Sequence, residues 1–112
     1  MKKYKISIFV TNDGKSPFLT WLESIKDAQT KRRIQVRIDR LAVGNLGDCK
    51  SIGNNLYELR LFFGSGYRIY YTKEDDKIII LISGGDKSTQ SDDIVKAKKY
   101  LKELKGDSND KS

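Results

Sequence analysis

The sequence predicts an α+β fold, with a small antiparallel-rich sheet and helices packed on one face of it. Segments in which apolar residues alternate with polar ones, typical of strands, occupy the first ten residues and much of the stretch 56–83. Segments with apolar residues three and four apart, typical of helices, fill much of the remainder. A chain of 112 residues suits one domain. We expect the order β-α-α-β-β-β-α over residues 1–105, followed by a flexible polar tail at 106–112.

The first thirty residues predict one strand and one short helix. The strand is expected at residues 4–10, which are rich in isoleucine, phenylalanine and valine and are followed by the turn signal Asn12-Asp13-Gly14. Ser16 has the preferred chemistry of a helix N-cap, and Pro17 suits the first helical position. The apolar stripe of this helix is Phe18, Trp21, Leu22 and Ile25.

The second predicted helix carries two stripes of different chemistry. Asp27 is a suitable N-cap, and the helix is expected to run to about Val43, where Gly44-Asn45 ends it. Its buried face is Ile34, Ile38 and Leu41. A row of basic residues spaced by four and three lies on another side: Arg33, Arg37 and Arg40. This row is either a solvated face or a binding surface for RNA or for an acidic protein segment.

The middle of the chain predicts a β-hairpin. Apolar and polar side chains alternate along 56–63 and along 67–72, and Gly64-Ser65-Gly66 between them predicts a three-residue loop. A loop of that length gives four cross-strand pairs: Leu61 with Ile69 and Leu59 with Tyr71 on the core face, and Arg60 with Tyr70 and Phe62 with Arg68 on the other. Arg60 and Arg68 are therefore expected to share one face.

The last part of the chain predicts a buried strand and a helix. A turn at 74–76 leads to residues 78–82, which are apolar throughout and are expected to form a central strand buried on both sides. Gly84-Gly85 is interpreted as a pair of turn glycines that end this strand. Ser91 predicts the N-cap of the last helix. This helix has acidic residues in its first turn and an apolar stripe: Asp92 and Asp93, then Ile94, Ala97, Leu101 and Leu104.

The composition excludes several classes of protein. Lysine and arginine total 22 against 15 acidic residues, giving a net charge of +7, which attracts polyanions such as RNA and DNA but also serves solubility. Histidine is absent, so a Ser-His or Cys-His catalytic pair is excluded. The single cysteine, Cys49, cannot form an internal disulfide, which fits a reducing cytoplasm. We expect no metal, no cofactor, no signal peptide and no membrane span.

One face of the predicted hairpin carries cations and an aromatic ring. Arg60, Arg68 and Tyr70 share it, and Lys87 follows the next strand. RNA is cleaved without a metal when its 2′-hydroxyl attacks the adjacent phosphate, provided that a base, an acid and fixed cations assist. Arginine suits the last task because its planar fork donates two parallel hydrogen bonds to phosphate oxygens. Glu58 is a candidate base or a neutraliser of arginine, Tyr70 packs or stacks on a base, and Lys87 is a cation or a proton carrier.

Three blocks of sequence together resemble the signature of the phage-derived killer-protein branch of the RelE/ParE toxin superfamily, which is close to the HigB-like toxins. They are Tyr57-Glu58-Leu59-Arg60, Gly66-Tyr67-Arg68-Ile69-Tyr70-Tyr71, and Gly84-Gly85-Asp86-Lys87-x-x-Gln90-x-x-Asp93-Ile94-x-x-Ala97. The match spans residues 16–104. It implies a RelE-like fold and a toxin encoded beside an antitoxin. Such toxins most often cleave mRNA in the ribosomal A site.

The resemblance also implies roles for single residues. Arg60 and Arg68 match the strand arginines that RelE-like nucleases use around the scissile phosphate, and Lys87 matches a position that is basic in many relatives. Relatives often have histidine or tyrosine near the final strand, whereas this chain has Asp86-Lys87-Ser88-Thr89-Gln90, which leaves the acid and base open. Arg68→Ala is expected to abolish toxicity and to leave the fold intact, because Arg68 faces away from the packed side.

The resemblance implies two partners. The antitoxin is expected to cover the cationic face, or the row of Arg33, Arg37 and Arg40, with acidic or helical segments. The nucleic acid is expected to be mRNA on the ribosome. Two alternatives stay open at this point: a ParE-like poison of DNA gyrase without nuclease activity, and an inactive module that only binds its antitoxin.

Overall fold

The computed structural model describes residues 3–106, which form five strands, three helices and a short 3-10 turn. The strands are β1 (Lys5–Ile8), β2 (Cys49–Ser51), β3 (Leu56–Arg60), β4 (Arg68–Glu74) and β5 (Ile78–Gly85). The helices are α1 (Pro17–Ser24), α2 (Ala28–Ala42) and α3 (Gln90–Lys105), and the 3-10 turn is Lys87–Thr89. Apart from Gly106, the predicted tail lies outside the described residues.

The five strands form one sheet in the order β1-β5-β4-β3-β2. β1 is parallel to β5, and the other neighbours are antiparallel. The α+β class and the antiparallel-rich sheet are confirmed. Strand β2 was not predicted, because Cys49-Lys50-Ser51 is only three residues long and has no alternating apolar pattern.

The helices cover both faces of the sheet, which corrects the expectation that they share one face. α1 and α2 pack on one face, where Phe18 and Ile34 join the same apolar cluster as Leu81. α3 packs on the other face, where Leu101 joins the cluster of Ile82. Successive residues of a strand point to opposite faces, and β5 is apolar throughout its first half. The predicted burial of this strand on both sides is confirmed, and it required helices on both sides.

The β3–β4 pairing is shifted by two residues from the prediction. Leu59 lies opposite Ile69, and Arg60 lies opposite Arg68. The connection spans residues 61–67 instead of three residues, and it is closed by a hydrogen bond of 2.9 Å from the Leu61 amide to the Tyr67 carbonyl. A shift by an even number keeps each side chain on its face. Arg60 and Arg68 therefore share a surface, as the alternation predicted.

Side-chain caps set the helix starts. Ser16 caps α1 and Asp27 caps α2, each by accepting a hydrogen bond from a backbone amide in the first turn, so both predicted caps are confirmed. The predicted cap of the last helix is wrong. α3 begins at Gln90, before Ser91, and it follows directly on the 3-10 turn that Asp86 caps. No helix within residues 3–106 has the length and hydropathy needed to cross a membrane.

Gly84 and Gly85 lie inside β5, not in a turn, which corrects their interpretation. A Cβ atom on Gly84 would overlap the indole ring of Trp21, which comes from α1. A Cβ atom on Gly85 would overlap the carboxylate of Asp93, which comes from α3. The two glycines therefore let a helix approach the strand closely from each side.

Candidate nucleic-acid site

An open cavity of about 510 Å³ lies at the end of the β3–β4 hairpin and is lined by three cations. Arg60 and Arg68 reach it from the last paired positions of the two strands. Lys87 reaches it from the 3-10 turn that follows β5. The rest of the lining is the connection 61–67. The structure thus brings together Arg60, Arg68 and Lys87, which are far apart in the sequence.

Lys87 reaches the cavity because its turn packs closely on the hairpin connection. Its amide donates a hydrogen bond of 3.4 Å to the carbonyl of Ser65. Gly66 has a φ of 77°, and a Cβ atom there would lie 3.3 Å from Cβ of Lys87. Asp86 holds the turn by accepting hydrogen bonds from the amide and the hydroxyl of Ser88, at 2.9 and 2.6 Å. These bonds, mainly the one from the hydroxyl, hold the pKa of Asp86 below its usual range.

Arg60 is oriented by Asp48, which precedes β2. Its Nη2 donates to Oδ1 of Asp48 at 3.1 Å, and its Nε lies 3.1 Å from Oδ2. The Arg60 amide also donates to the Asp48 carbonyl at 2.9 Å, so β2 and β3 bring the two residues together. The two side chains are 36% and 33% exposed. An ion pair this exposed is weak enough for a phosphate to compete with it.

Arg68 lies deeper than Arg60 and is paired with a buried carboxylate. The Arg68 side chain is 13% exposed, and its Nε lies 3.5 Å from Oε2 of Glu58, whose side chain is 1% exposed. The same oxygen accepts hydrogen bonds from the Tyr70 hydroxyl at 3.1 Å and from Nε2 of Gln90 at 2.9 Å. Within the described residues, Nε and Nη1 of Arg68 are buried without a well-aligned acceptor. Glu58 therefore holds Arg68 in place from the sheet side.

Burial corrects two predicted site roles. Tyr70 is fully buried, so it packs in the core and is not available to stack on a base. Burial and the negative charge of Glu58 raise the pKa of the Tyr70 hydroxyl, which keeps it a hydrogen-bond donor. Glu58 is likewise buried, and it is engaged by an ion pair with Arg68 and by hydrogen bonds from Tyr70 and Gln90, so it is not an accessible base for a substrate. It neutralises and supports Arg68, the second reading that the sequence allowed.

A second cationic surface lies on α2. A cavity of about 450 Å³ is lined by Arg32, Arg33, Arg37 and Arg40, together with Gln29, Val36 and Phe63. The guanidinium carbon of Arg33 lies 4.0 Å from the centre of the Phe63 ring, a cation–π contact. Arg37 donates to the Leu46 carbonyl at 3.2 Å and so ties the helix to the loop that follows it. Because Phe63 lines both cavities, the two cationic surfaces adjoin at this ring.

A larger cavity, of about 630 Å³, lies between α1 and α3 and has a different character. The charged residues that line it are Asp13, Asp93, Glu103, Lys15 and Lys96. Its acids outnumber its lysines, so it offers phosphates no net attraction. Across residues 3–106, no group of three or more His, Cys, Asp and Glu side chains is placed to hold a metal ion. The cavity at the hairpin is therefore the better candidate for an anionic ligand.

Asp48 and Gln90 were missed as site residues. Asp48 precedes Arg60 by 12 positions, and only the pairing of the unpredicted strand β2 with β3 makes them neighbours. Gln90 belongs to the third block of the resemblance, but its partner Glu58 is 32 positions away. Its place in that block could have indicated a role for Gln90. The hydrogen bond from Gln90 to Glu58, however, depends on how α3 packs on the sheet.

The fold is RelE-like, and it carries a cationic cavity at the end of the β3–β4 hairpin. The structure is similar to that of the E. coli toxin RelE, solved as a double arginine-to-alanine mutant in the free state. The TM-score is 0.63 at 16% sequence identity, over 85% of this chain and 93% of that one. An identity this low shows a shared fold, and the predicted RelE-like fold is confirmed.

The family is shown by sequence comparison. The family model for "Phage derived protein Gp49-like" matches residues 20–105. An uncharacterized protein of Haemophilus influenzae is 45% identical over 87 residues, which is 78% of this chain and 88% of that relative. The chain therefore belongs to the phage-derived Gp49-like family. Together with the RelE-like fold, this membership confirms the resemblance to the RelE/ParE superfamily.

Proposed function

We propose that this protein is the toxin of a type II toxin–antitoxin system and that it stops translation by cleaving mRNA on the ribosome. The observation that supports this most is that Arg60, Arg68 and Lys87 line the same cavity. Fixed cations around one cavity suit a phosphodiester, which gains negative charge as it is cleaved. Membership of the Gp49-like family and the RelE-like fold support the toxin class.

The proposed reaction uses the 2′-hydroxyl of the RNA as the nucleophile. This oxygen gives up its proton to a solvent water as it attacks the phosphorus that links its nucleotide to the next one, and the bond from phosphorus to the next 5′-oxygen breaks. The products are a 2′,3′-cyclic phosphate and a free 5′-hydroxyl. Negative charge grows on the non-bridging oxygens, and Arg60 and Arg68 stabilise it through charge-assisted hydrogen bonds. Asp48 orients the guanidinium group of Arg60, and Glu58 orients that of Arg68, before the substrate binds.

Lys87 is the candidate proton donor. Glu58 is excluded from proton transfer with the substrate because it is buried. Apart from the arginines, the lining side chains that carry a titratable proton are Lys87 and Tyr67. Lys87 is exposed, and its ammonium group adds positive charge while it protonates the leaving 5′-oxygen. We assign Lys87 this role because the ring of Tyr67 is packed against Trp21 and Phe63.

The proposed antitoxin neutralises the toxin by covering cationic surface. The net charge of +7 favours acidic segments in the partner. The cavity at the hairpin and the arginines of α2 are the two surfaces that such segments fit. Replacement of Arg33 and Arg40 by glutamate is expected to weaken capture of the antitoxin in a pull-down. Capture equal to that of the parent protein would remove the α2 surface from the interface.

The test of function is primer extension on a defined mRNA, incubated with the purified protein with and without translating ribosomes. Cuts within codons are expected only when ribosomes are present. Lys87→Met should abolish these cuts. Lys77→Met should not, because this substitution removes the same charge from the turn at the opposite end of β4, away from the cavity. Intact mRNA with folded protein that still arrests growth would overturn the nuclease proposal. A DNA-cleavage assay with gyrase would then test the ParE-like alternative.

A further inference from the structure

Phe62 is exposed to water in a way that core packing does not explain. It is 79% exposed, the highest value among the large hydrophobic residues within 3–106. Its neighbours behave differently, because Leu61 is buried in the core and Phe63 packs against the same cluster. Phe62 therefore contributes little to the core while presenting an aromatic ring to solvent. An exposed aromatic ring at the edge of a cavity offers a flat apolar face to a ligand bound there.

The surroundings of Phe62 combine aromatic rings with cations. Phe62 lines the cavity that also holds Arg60, Arg68 and Lys87. A nucleotide presents the matching pair of groups, a flat base beside a charged phosphate. Base–aromatic stacking accepts any base, since each has a π face. An acidic peptide would satisfy the cations, but its carboxylates offer no flat ring to Phe62. The chemistry of the cavity therefore favours RNA at this residue.

The cationic surface continues beyond Phe62 toward α2. Phe63, the next residue, lines both the hairpin cavity and the cavity of the α2 arginines. Arg33 lies over the Phe63 ring, and Arg40 lines the same α2 cavity and is exposed. A single strand that leaves the hairpin cavity past Phe62 thus meets further cations, as in grooves that follow a nucleic-acid backbone.

We infer that Phe62 stacks on the base next to the cleaved phosphate, and that the RNA strand then runs past Phe63 onto the arginines of α2. This inference rests on the proposed function, which it extends to a base-binding residue and a path for the strand. Phe62 positions the nucleotide, and Arg60, Arg68 and Lys87 act on its phosphate. Stacking is sequence-tolerant, so Phe62 should affect affinity for RNA in general.

The experiment measures binding of a short fluorescent single-stranded RNA at low salt, with 2′-O-methyl groups to block cleavage. Phe62→Ala is expected to weaken binding about 5- to 150-fold, the range contributed by one stacked base. Phe62→Trp should restore binding, and its fluorescence should be quenched by RNA. Val95→Ala is the matched control, because Val95 is 65% exposed but lies on α3. It should bind RNA like the parent.

The salt dependence separates stacking from charge. Phe62→Ala should leave the slope of log affinity against log salt unchanged, because an apolar contact releases no counterions. Arg40→Gln should make the slope shallower by about 0.7, the value for one phosphate contact on a single strand. Lys77→Gln removes an equal charge at the far end of the sheet and should leave the slope unchanged. An RNA that lacks the stacked base should bind Phe62→Ala and the parent equally.

Several outcomes would overturn the inference. Parent-like RNA affinity in Phe62→Ala would exclude stacking, and so would failure of the parent to bind RNA at low salt. Loss of antitoxin binding with unchanged RNA affinity would assign Phe62 to the protein partner. The proposed function is judged separately, by mRNA cleavage in Lys87→Met. If that variant is inactive while Phe62→Ala binds RNA normally, the stacking inference alone fails.

Discussion

Replacement of Arg68 by alanine is expected to destabilise the fold as well as to remove a cation from the cavity. The Arg68 side chain is 13% exposed and pairs with Glu58, which is 1% exposed. The substitution therefore leaves a buried carboxylate without its positive partner. Removal of one partner of a buried ion pair costs about 3–5 kcal/mol. Tyr70 and Gln90 still donate to Glu58, so we expect the lower end of that range, about 3 kcal/mol. The earlier expectation of an intact fold is therefore replaced by this one.

The measurement is thermal and urea unfolding, followed by far-UV circular dichroism. A loss of about 3 kcal/mol lowers Tm by roughly 12–24 °C in a domain of about this size. The double variant Glu58→Gln/Arg68→Met removes both charges with similar side-chain volumes, and it should recover most of the stability but no cleavage activity. The free energy of unfolding of Lys87→Met should lie within about 0.5 kcal/mol of the parent value, because Lys87 is exposed. It should nevertheless be inactive.

Two results would refute this reasoning. If Arg68→Ala unfolds like the parent, the buried pair does not support the fold, and any loss of toxicity belongs to the site alone. If the double variant is as unstable as Arg68→Ala, the cost does not come from the unpaired charge of Glu58, because that variant has no charge at position 58. A double-mutant cycle over Glu58 and Arg68 gives the coupling energy that separates these cases.

Three further predictions concern the frame around the site. Gly84→Ala should destabilise the fold by about 1–3 kcal/mol, because its methyl group overlaps Trp21, and an unchanged Tm would contradict that contact. The hydrogen bonds from Ser88 lower the pKa of Asp86, so they stabilise the fold above the unfolded-state pKa near 4, and this contribution is lost as pH falls below it. Stability should therefore fall less steeply below pH 4 in Asp86→Ala; equal slopes would count against the cap. Burial raises the pKa of the Cys49 thiol, so iodoacetamide at pH 8 should alkylate folded protein more slowly than urea-unfolded protein. Equal rates would show an accessible thiolate.

Much of the fold was predictable because strands and helices leave local periodic patterns in the sequence. The caps at Ser16 and Asp27 and the burial of the strand at 78–82 on both sides followed from residues within a few positions of each other. The prediction that the helices share one face was wrong, and the sequence of the strand at 78–82 already contradicted it. A strand that is apolar on both sides needs cover on both faces, which contradicts helices on one face alone.

The site was predictable only in part, because local patterns in the sequence determine the face of a strand on which a residue lies but not its burial. The alternation along the hairpin placed Arg60 and Arg68 on one face, and it survived a register error of two residues because a strand has a period of two. Alternation says which side a residue faces, but not how deeply it is buried. The sequence therefore left two roles open for each of Glu58 and Tyr70, and the packing of α3 against that face decides between them, because it makes both residues inaccessible.

The amino-acid sequence by itself determined the class of the fold, the family, the positive charge and the three cations of the cavity, because these depend on composition, local spacing and short motifs. Only the tertiary structure decided that Asp48 holds Arg60, that Gln90 joins Glu58 behind Arg68, and that Phe62 stands exposed beside them. Those relations join segments far apart in the chain. They arise from strand pairing and from the docking of α3, which no local pattern encodes.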